Sequence, residues 1–233
     1  LLENLDKPVI LTGSQLPIGI ARTDARENLI TSIEIASEGK TPEVCIYFEY
    51  KLLRGNRAAK VNAIHFKAFE SPNFPILAEA GVTIDYNSSY SKPKNDKKLK
   101  VHTKLDTDVV VLKLFPGINR KTVESILQQD VKAIVLETFG TGNAPSYPWF
   151  IELIEEALKK NKIILNITQC LVGKVTQGYY ETSSELQKLG VISGGDMTLE
   201  SAITKIMFLL EQGLNSTEIK SQLQISLRGE LSN

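Results

Sequence analysis

Ala133-Ile134-Val135-Leu136-Glu137-Thr138-Phe139-Gly140-Thr141-Gly142-Asn143-Ala144-Pro145, a stretch of helical length from about Tyr147 to Lys160, and Ile163-Ile164-Leu165-Asn166-Ile167 form the segment on which the fold turns. Two short apolar runs flank a predicted helix, and this alternation is the signature of an α/β architecture with a mainly parallel sheet. The rhythm continues on either side. Upstream lie a predicted strand at Val109 to Leu114 and a helix from about Asn119 to Gln129. Downstream, helices are expected near Thr198 to Leu210 and Ser216 to Leu223.

Between Asp85 and Lys100 the composition shifts to Asn, Ser, Tyr, Pro and Lys, as in an exposed connector. Domains are therefore expected over 1–84 and 108–233, with a linker over 85–107. In the first, Pro8-Val9-Ile10-Leu11 reads as a strand followed by the polar loop Thr12 to Thr23. A helix follows, with Asp24 placed to cap it, Glu27 placed to reach back, and Leu29, Ile30, Ile33 and Ile35 at near-helical spacing. Val44 to Phe48 is the next strand. Leu1 to Leu5 reads as the last turn of a helix, so the sequence is expected to continue upstream.

Lys+Arg and Asp+Glu both total 27, so no net field draws in nucleic acid or an acidic membrane, and the expected ligand is small. No apolar run reaches the roughly 20 residues of a membrane span. With two histidines and no HExxH or CxxC spacing, no metal site and no cofactor are expected. Cys45 and Cys170 sit in or at the end of apolar runs and read as small buried hydrophobes, which suits a reducing cytoplasm.

In open α/β sheets ligands gather beyond the carboxyl ends of strands, which directs attention to the loops at 12–23, 115–118, 137–145 and 168–174. Thr12-Gly13-Ser14-Gln15 offers two hydroxyls beside a glycine, in a turn that could equally satisfy its own backbone. Arg54-Gly55-Asn56-Arg57-Ala58-Ala59-Lys60 gathers three cations, and two alanines would let Lys60 approach packed structure. A lysine crowded by cations or desolvated loses proton affinity and becomes usable as a base. Phe139 to Pro145 has the glycines of an anion loop but lacks the Lys-Ser/Thr of a P-loop. Gly194-Gly195-Asp196-Met197-Thr198 reads as a turn into a helix capped by Asp196 or Thr198.

In order and spacing these segments resemble the asparaginase/glutaminase family over essentially the whole chain. Lys7 to Pro17 is similar to the family's strand and substrate loop, Leu53 to Lys60 to its lysine segment, Gly140 to Pro145 to its C-terminal glycine loop, and Gly195 to Glu200 to its late turn into a helix. Gln169-Cys170 and the ending Ser226-Leu227-Arg228-Gly229-Glu230-Leu231 resemble the bacterial cytoplasmic (type I) branch.

The resemblance implies hydrolysis of L-asparagine to L-aspartate and ammonia through a threonine ester, in the cytoplasm and without cofactor. Lys60 would orient or deprotonate a relay threonine, Ser14 would line the pocket, and Asn143 would reach the substrate's α-amino end from a neighbouring subunit. A homodimer or homotetramer with active sites at the subunit interface is implied. The family's Thr-Gly-Gly-Thr and Gly-Thr-Asp-Thr motifs do not occur in these 233 residues. The resemblance thus makes 1–84 the remainder of a larger N-terminal domain and 108–233 a smaller C-terminal α/β domain. The nucleophile is expected upstream, and the fragment alone is expected to be inactive. Two other readings remain open: the amidase subunit of a tRNA-dependent amidotransferase, and a non-catalytic module that binds a small amino acid. Glu137 stands where an α-carboxylate would need a cation, so weak or absent activation by asparagine is expected.

Overall fold

A computed structural model describes every residue except Asn95, Tyr179, Tyr180 and Asn233, and the side chains of Glu181 and Thr182 also lie outside the description. Two units follow one another along the chain, Leu1–Thr103 and Lys104–Asn233. The first runs β1 (Leu2–Glu3), β2 (Val9–Leu11), α1 (Ala25–Glu38), β3 (Val44–Phe48), β4 (Lys51–Arg54), a 3-10 turn (Gly55–Arg57), β5 (Ala59–Lys60), β6 (Phe69–Glu70), β7 (Ala78–Ala80), β8 (Ile84–Tyr86) and β9 (Lys100–Val101). Its main sheet has the order β2-β3-β4-β7-β8. Only β2 and β3, joined through α1, are parallel. From β3 onward the remaining pairs are antiparallel, with β3–β4 and β7–β8 joined by turns too short for a crossover.

The second unit runs β10 (Val109–Lys113), α2 (Arg120–Leu127), β11 (Ala133–Thr138), α3 (Pro148–Lys159), β12 (Ile163–Thr168), α4 (Glu181–Leu189), β13 (Ile192–Ser193), α5 (Leu199–Leu210) and α6 (Ser216–Leu223). Its four strands, in the order β10-β11-β12-β13, are all parallel. Alternate side chains of the central strands enter two cores. Leu112, Ile134, Leu136 and Ile164 meet Val123, Leu127, Phe150 and Ile154 on one face. Ala133, Val135, Leu165 and Ile167 meet Ile206, Leu209, Ile219 and Leu223 on the other. Each large apolar side chain so buried is worth about 1.5–3 kcal/mol. Asn119, Thr198 and Asn215 accept from backbone amides at the starts of α2, α5 and α6, and Asn215 and Glu218 form a reciprocal capping box.

The α/β class is as the sequence reads, and several local expectations are corrected. Leu2–Glu3 is not a helical turn but a strand paired with Lys100–Val101. This pairing draws the far end of the Lys-rich connector back onto the start of the chain. Helix α1 forms, but Leu29, Ile30 and Ile33 are exposed at 46%, 64% and 60%, while Asn28, Thr31, Ser32 and Ile35 are buried. The inward stripe at i, i+3, i+4, i+7 is thus mostly polar. Asp24 does not cap the helix through its side chain, and Glu27 accepts from Thr31 instead of reaching back. Cys45 is buried, but Cys170 is exposed because β12 ends at Thr168 and the chain turns outward, with the Thr168 hydroxyl accepting from the Cys170 amide. Strands β4 to β8 and helix α4 go beyond the elements read from the sequence.

Candidate active site

In the first unit the functional loops are built by polar side chains on the elements behind them. The Asp24 carboxylate accepts from the amides of Gln15 at 2.9 and 3.1 Å and of Leu16 at 3.1 Å. Asn28 donates to the carbonyl of Gly13 at 2.9 Å and accepts from the amide of Glu49 at 3.2 Å. That second bond supports the β3–β4 turn, where Glu49 and Tyr50 both hold positive φ without being glycine. Thr12 donates to the carbonyl of Tyr47, so its hydroxyl serves the strand-end turn. Ser14, one turn further on, is exposed.

Lys60 lies opposite Phe69 in the short β5–β6 pair, with its ammonium 5.9 Å from the ring centroid of Phe69. Phe69 packs on Phe48 with centroids 5.3 Å apart, and Phe48 in turn lies beside Gly13. The side-chain amide of Gln15 donates to the carbonyl of His65, five residues after Lys60. These contacts tie the Ser14 loop to the Lys60 hairpin. The cation cluster expected around Lys60 does not form. Arg54 is buried against Glu43 at 2.5 Å and lies over Phe74, while Arg57 is buried over the same ring and donates to the carbonyl of Asn73. Lys60 itself is exposed, so this chain does not desolvate it.

In the second unit the segment after β11 closes on itself. Phe139 and Asn143 exchange backbone hydrogen bonds of 2.9 and 2.8 Å. Gly142 holds φ +111, and a Cβ there would stand 2.8 Å from Val175 Cγ1 and 3.2 Å from Asn166 Nδ2, so only glycine fits. The Oδ1 atom of Asn143 is sealed from solvent without a hydrogen-bond partner. At the strand ends nearby, Gln169 donates to the carbonyls of Leu114 at 2.6 Å and Glu137 at 2.9 Å. Glu137 is buried, with Lys113 at 3.7 Å. Thr198 caps α5, whereas Asp196 accepts from the amide of Ser232 and so holds the C-terminal segment. Burial pushes the Cys45 thiol up to about 12, leaving it unreactive.

Asp24, Asn28 and Gln15 escaped the sequence reading as site-shaping groups. For Asn28 the signal available was the polar stripe of α1, which an apolar-spacing search passes over. Among the described residues no group of three or more His, Cys, Asp or Glu could hold a metal ion, and no helix is long and apolar enough to cross a membrane.

Comparison with known proteins covers both units. The family description "Asparaginase, N-terminal" matches residues 1–92, and "Glutaminase/Asparaginase C-terminal domain" matches 108–223. The chain is 41% identical over 231 residues to L-asparaginase 1 of Escherichia coli (strain K12), spanning 99% of this chain and 68% of that protein. It is 42% identical over 233 residues to the 60 kDa lysophospholipase of Mus musculus, spanning 99% of this chain and 41% of the mouse protein. The crystal structure of L-asparaginase I from Vibrio cholerae O1 biovar eltor superposes with a TM-score of 0.91 at 40% identity, over 100% of this chain and 70% of that one. With both family domains matched in order and this identity sustained along its length, the chain belongs to the asparaginase/glutaminase family.

Proposed function

We propose that this chain is part of a cytoplasmic amidohydrolase that converts L-asparagine to L-aspartate and ammonia. The observation that carries the reading is the 41% identity, over 231 residues, to a protein named L-asparaginase 1. In the proposed reaction a threonine hydroxyl attacks the side-chain amide carbon and its proton passes to the departing amine. Ammonia leaves, a threonine ester remains, and water attacks that ester to release aspartate and restore the hydroxyl. The threonine is one that these 233 residues do not present in the family's motifs. Lys60 orients or deprotonates a relay hydroxyl beside it, an assignment favoured by its exposure on a hairpin tied to the Ser14 loop.

Ser14 lines the pocket at the amide end, where each fixed donor to a developing oxyanion lowers the barrier by about 3–4 kcal/mol. Asn143 meets the substrate's α-amino end from a neighbouring subunit. Domains over 1–84 and 108–233 with a linker over 85–107 remain the proposed division. A homodimer or homotetramer is supported by exposed Phe115, Tyr147, Leu171 and Val172, all in connections after the strands of the parallel sheet. The test is ammonia release from asparagine by the complete gene product, with its mass in solution measured on the same sample. Release by a dimer or tetramer is expected. No release overturns the enzymatic reading, and a fully active monomer overturns the shared site.

A further inference from the structure

The loop that carries Asn143 is held by more than its own turn. Three successive carbonyls are each captured by a donor from outside the loop: that of Gly140 by the Thr168 hydroxyl at 2.5 Å, that of Thr141 by the Thr176 amide at 2.9 Å, and that of Gly142 by the Asn166 side-chain amide at 3.3 Å. The last donor is unusual for its place. Asn166 is fully buried on β12, in the run Ile163–Thr168, beside Leu136 of β11 and Ser193 of β13. A side-chain amide there is costly unless it is satisfied. Its Oδ1 accepts from the hydroxyl of Thr138 at 2.7 Å, and Thr138 is also fully buried. The backbone carbonyl of Asn166 accepts from Gly194 at 2.7 Å, joining the same residue to the glycine turn before α5.

We propose that Asn166 and Thr138 are positioning residues for Asn143, forming a relay from Thr138 through Asn166 to the Gly142 carbonyl that fixes where the Asn143 side chain stands. This rests on the reading of Asn143 as the group that meets the substrate's α-amino end. A buried pair kept only for packing could be apolar at no loss. Here the amide is spent on the carbonyl directly before Asn143, and the hydroxyl of Thr138 sets which end of the amide faces that carbonyl. A site that binds a small zwitterion through a loop needs such support, because a displacement of about 1 Å forfeits the hydrogen bond.

The test uses the complete enzyme, with kcat and KM for asparagine and a melting curve for each variant. Asn166→Ala and the near-isosteric Thr138→Val are each expected to raise KM about tenfold with a smaller change in kcat, the pattern of lost binding common to ground and transition states. Thr138→Ser, which keeps the hydroxyl, is expected to restore KM. In an Asn143→Ala background neither substitution should raise KM further, because the relay then has nothing to position. A lowered melting temperature with unchanged KM in the soluble Thr138→Val variant would overturn the proposal and make the pair structural. KM effects that multiply with Asn143→Ala would also overturn it. An Asn143→Ala enzyme with normal KM would instead remove Asn143 from the site and the relay with it, a result distinct from the other two.

Discussion

Lys60 combines exposure with a proposed role in chemistry, which makes its substitution informative. Its ammonium is exposed and contacts the Phe69 face only at 5.9 Å, so Lys60→Met removes little that holds the fold. The complete enzyme carrying Lys60→Met is expected to melt within a degree or two of the parent, while kcat falls by about a hundredfold or more. Near-normal turnover would take Lys60 out of the mechanism. The sequence singled out this lysine by the two alanines before it and by its crowding with Arg54 and Arg57, and those arginines turned out to serve elsewhere. Both had unseen partners: Glu43 for Arg54, and the Phe74 ring with the Asn73 carbonyl for Arg57, lying 11 and 16 to 17 residues away along the chain.

Helix α1 carries a structural lesson of its own. A helix was legible from the spacing of Leu29, Ile30, Ile33 and Ile35, because spacing reports the local period of the chain. Which side faces the sheet was not legible, because that depends on what waits on the other side. The Gly13 carbonyl and the Glu49 amide wait there, and Asn28 serves both. Asn28→Ala leaves them without that partner and is expected to cost about 1–3 kcal/mol, seen as a lower urea midpoint with unchanged slope. Substrate affinity should weaken with it, since the same bond holds the loop bearing Ser14. An unchanged midpoint would mean that these backbone groups find solvent. The β3–β4 hairpin was illegible for a related reason. Glu49-Tyr50 lacks the Asn-Gly signature of a two-residue turn, and its positive φ values are supported from a distance by Asn28.

Across the whole molecule, the C-terminal segment is fastened by a buried ion pair. Lys205 on α5 meets Glu230 at 2.7 Å, with both side chains about 95% buried, and also donates to the carbonyls of Leu223 and Ile225. Burial pushes the Glu230 carboxyl up, but Lys205 and the amides of Leu227 and Arg228 outweigh it and hold the group below its ordinary 4.5. The stability this carboxylate contributes is therefore complete above the unfolded value and is lost as the pH falls through the lower folded value. Glu230→Gln is expected to cost about 3 kcal/mol near neutral pH, because Lys205 is left buried without its counter-charge. The melting-temperature gap between parent and variant should shrink below about pH 4.5. A gap that persisted undiminished at lower pH would show that the pair contributes by shape alone.

What the sequence by itself determined was whatever short-range pattern can carry: the α/β class, the strands at Val109, Ala133 and Ile163 with the helices between and after them, Thr198 as one of two candidate caps of α5, and the family. Apolar runs and capping residues act within a few positions of themselves, so neighbours along the chain suffice to read them. Only the tertiary structure decided that α1 turns a polar stripe inward, that Arg54 and Arg57 leave Lys60 unaccompanied, and that Asn166 reaches from a buried strand to the Asn143 loop. Those outcomes depend on buried polar groups finding partners. A donor in a core bonds whatever acceptor the fold brings within reach, and sequence separation carries no information about which one that is.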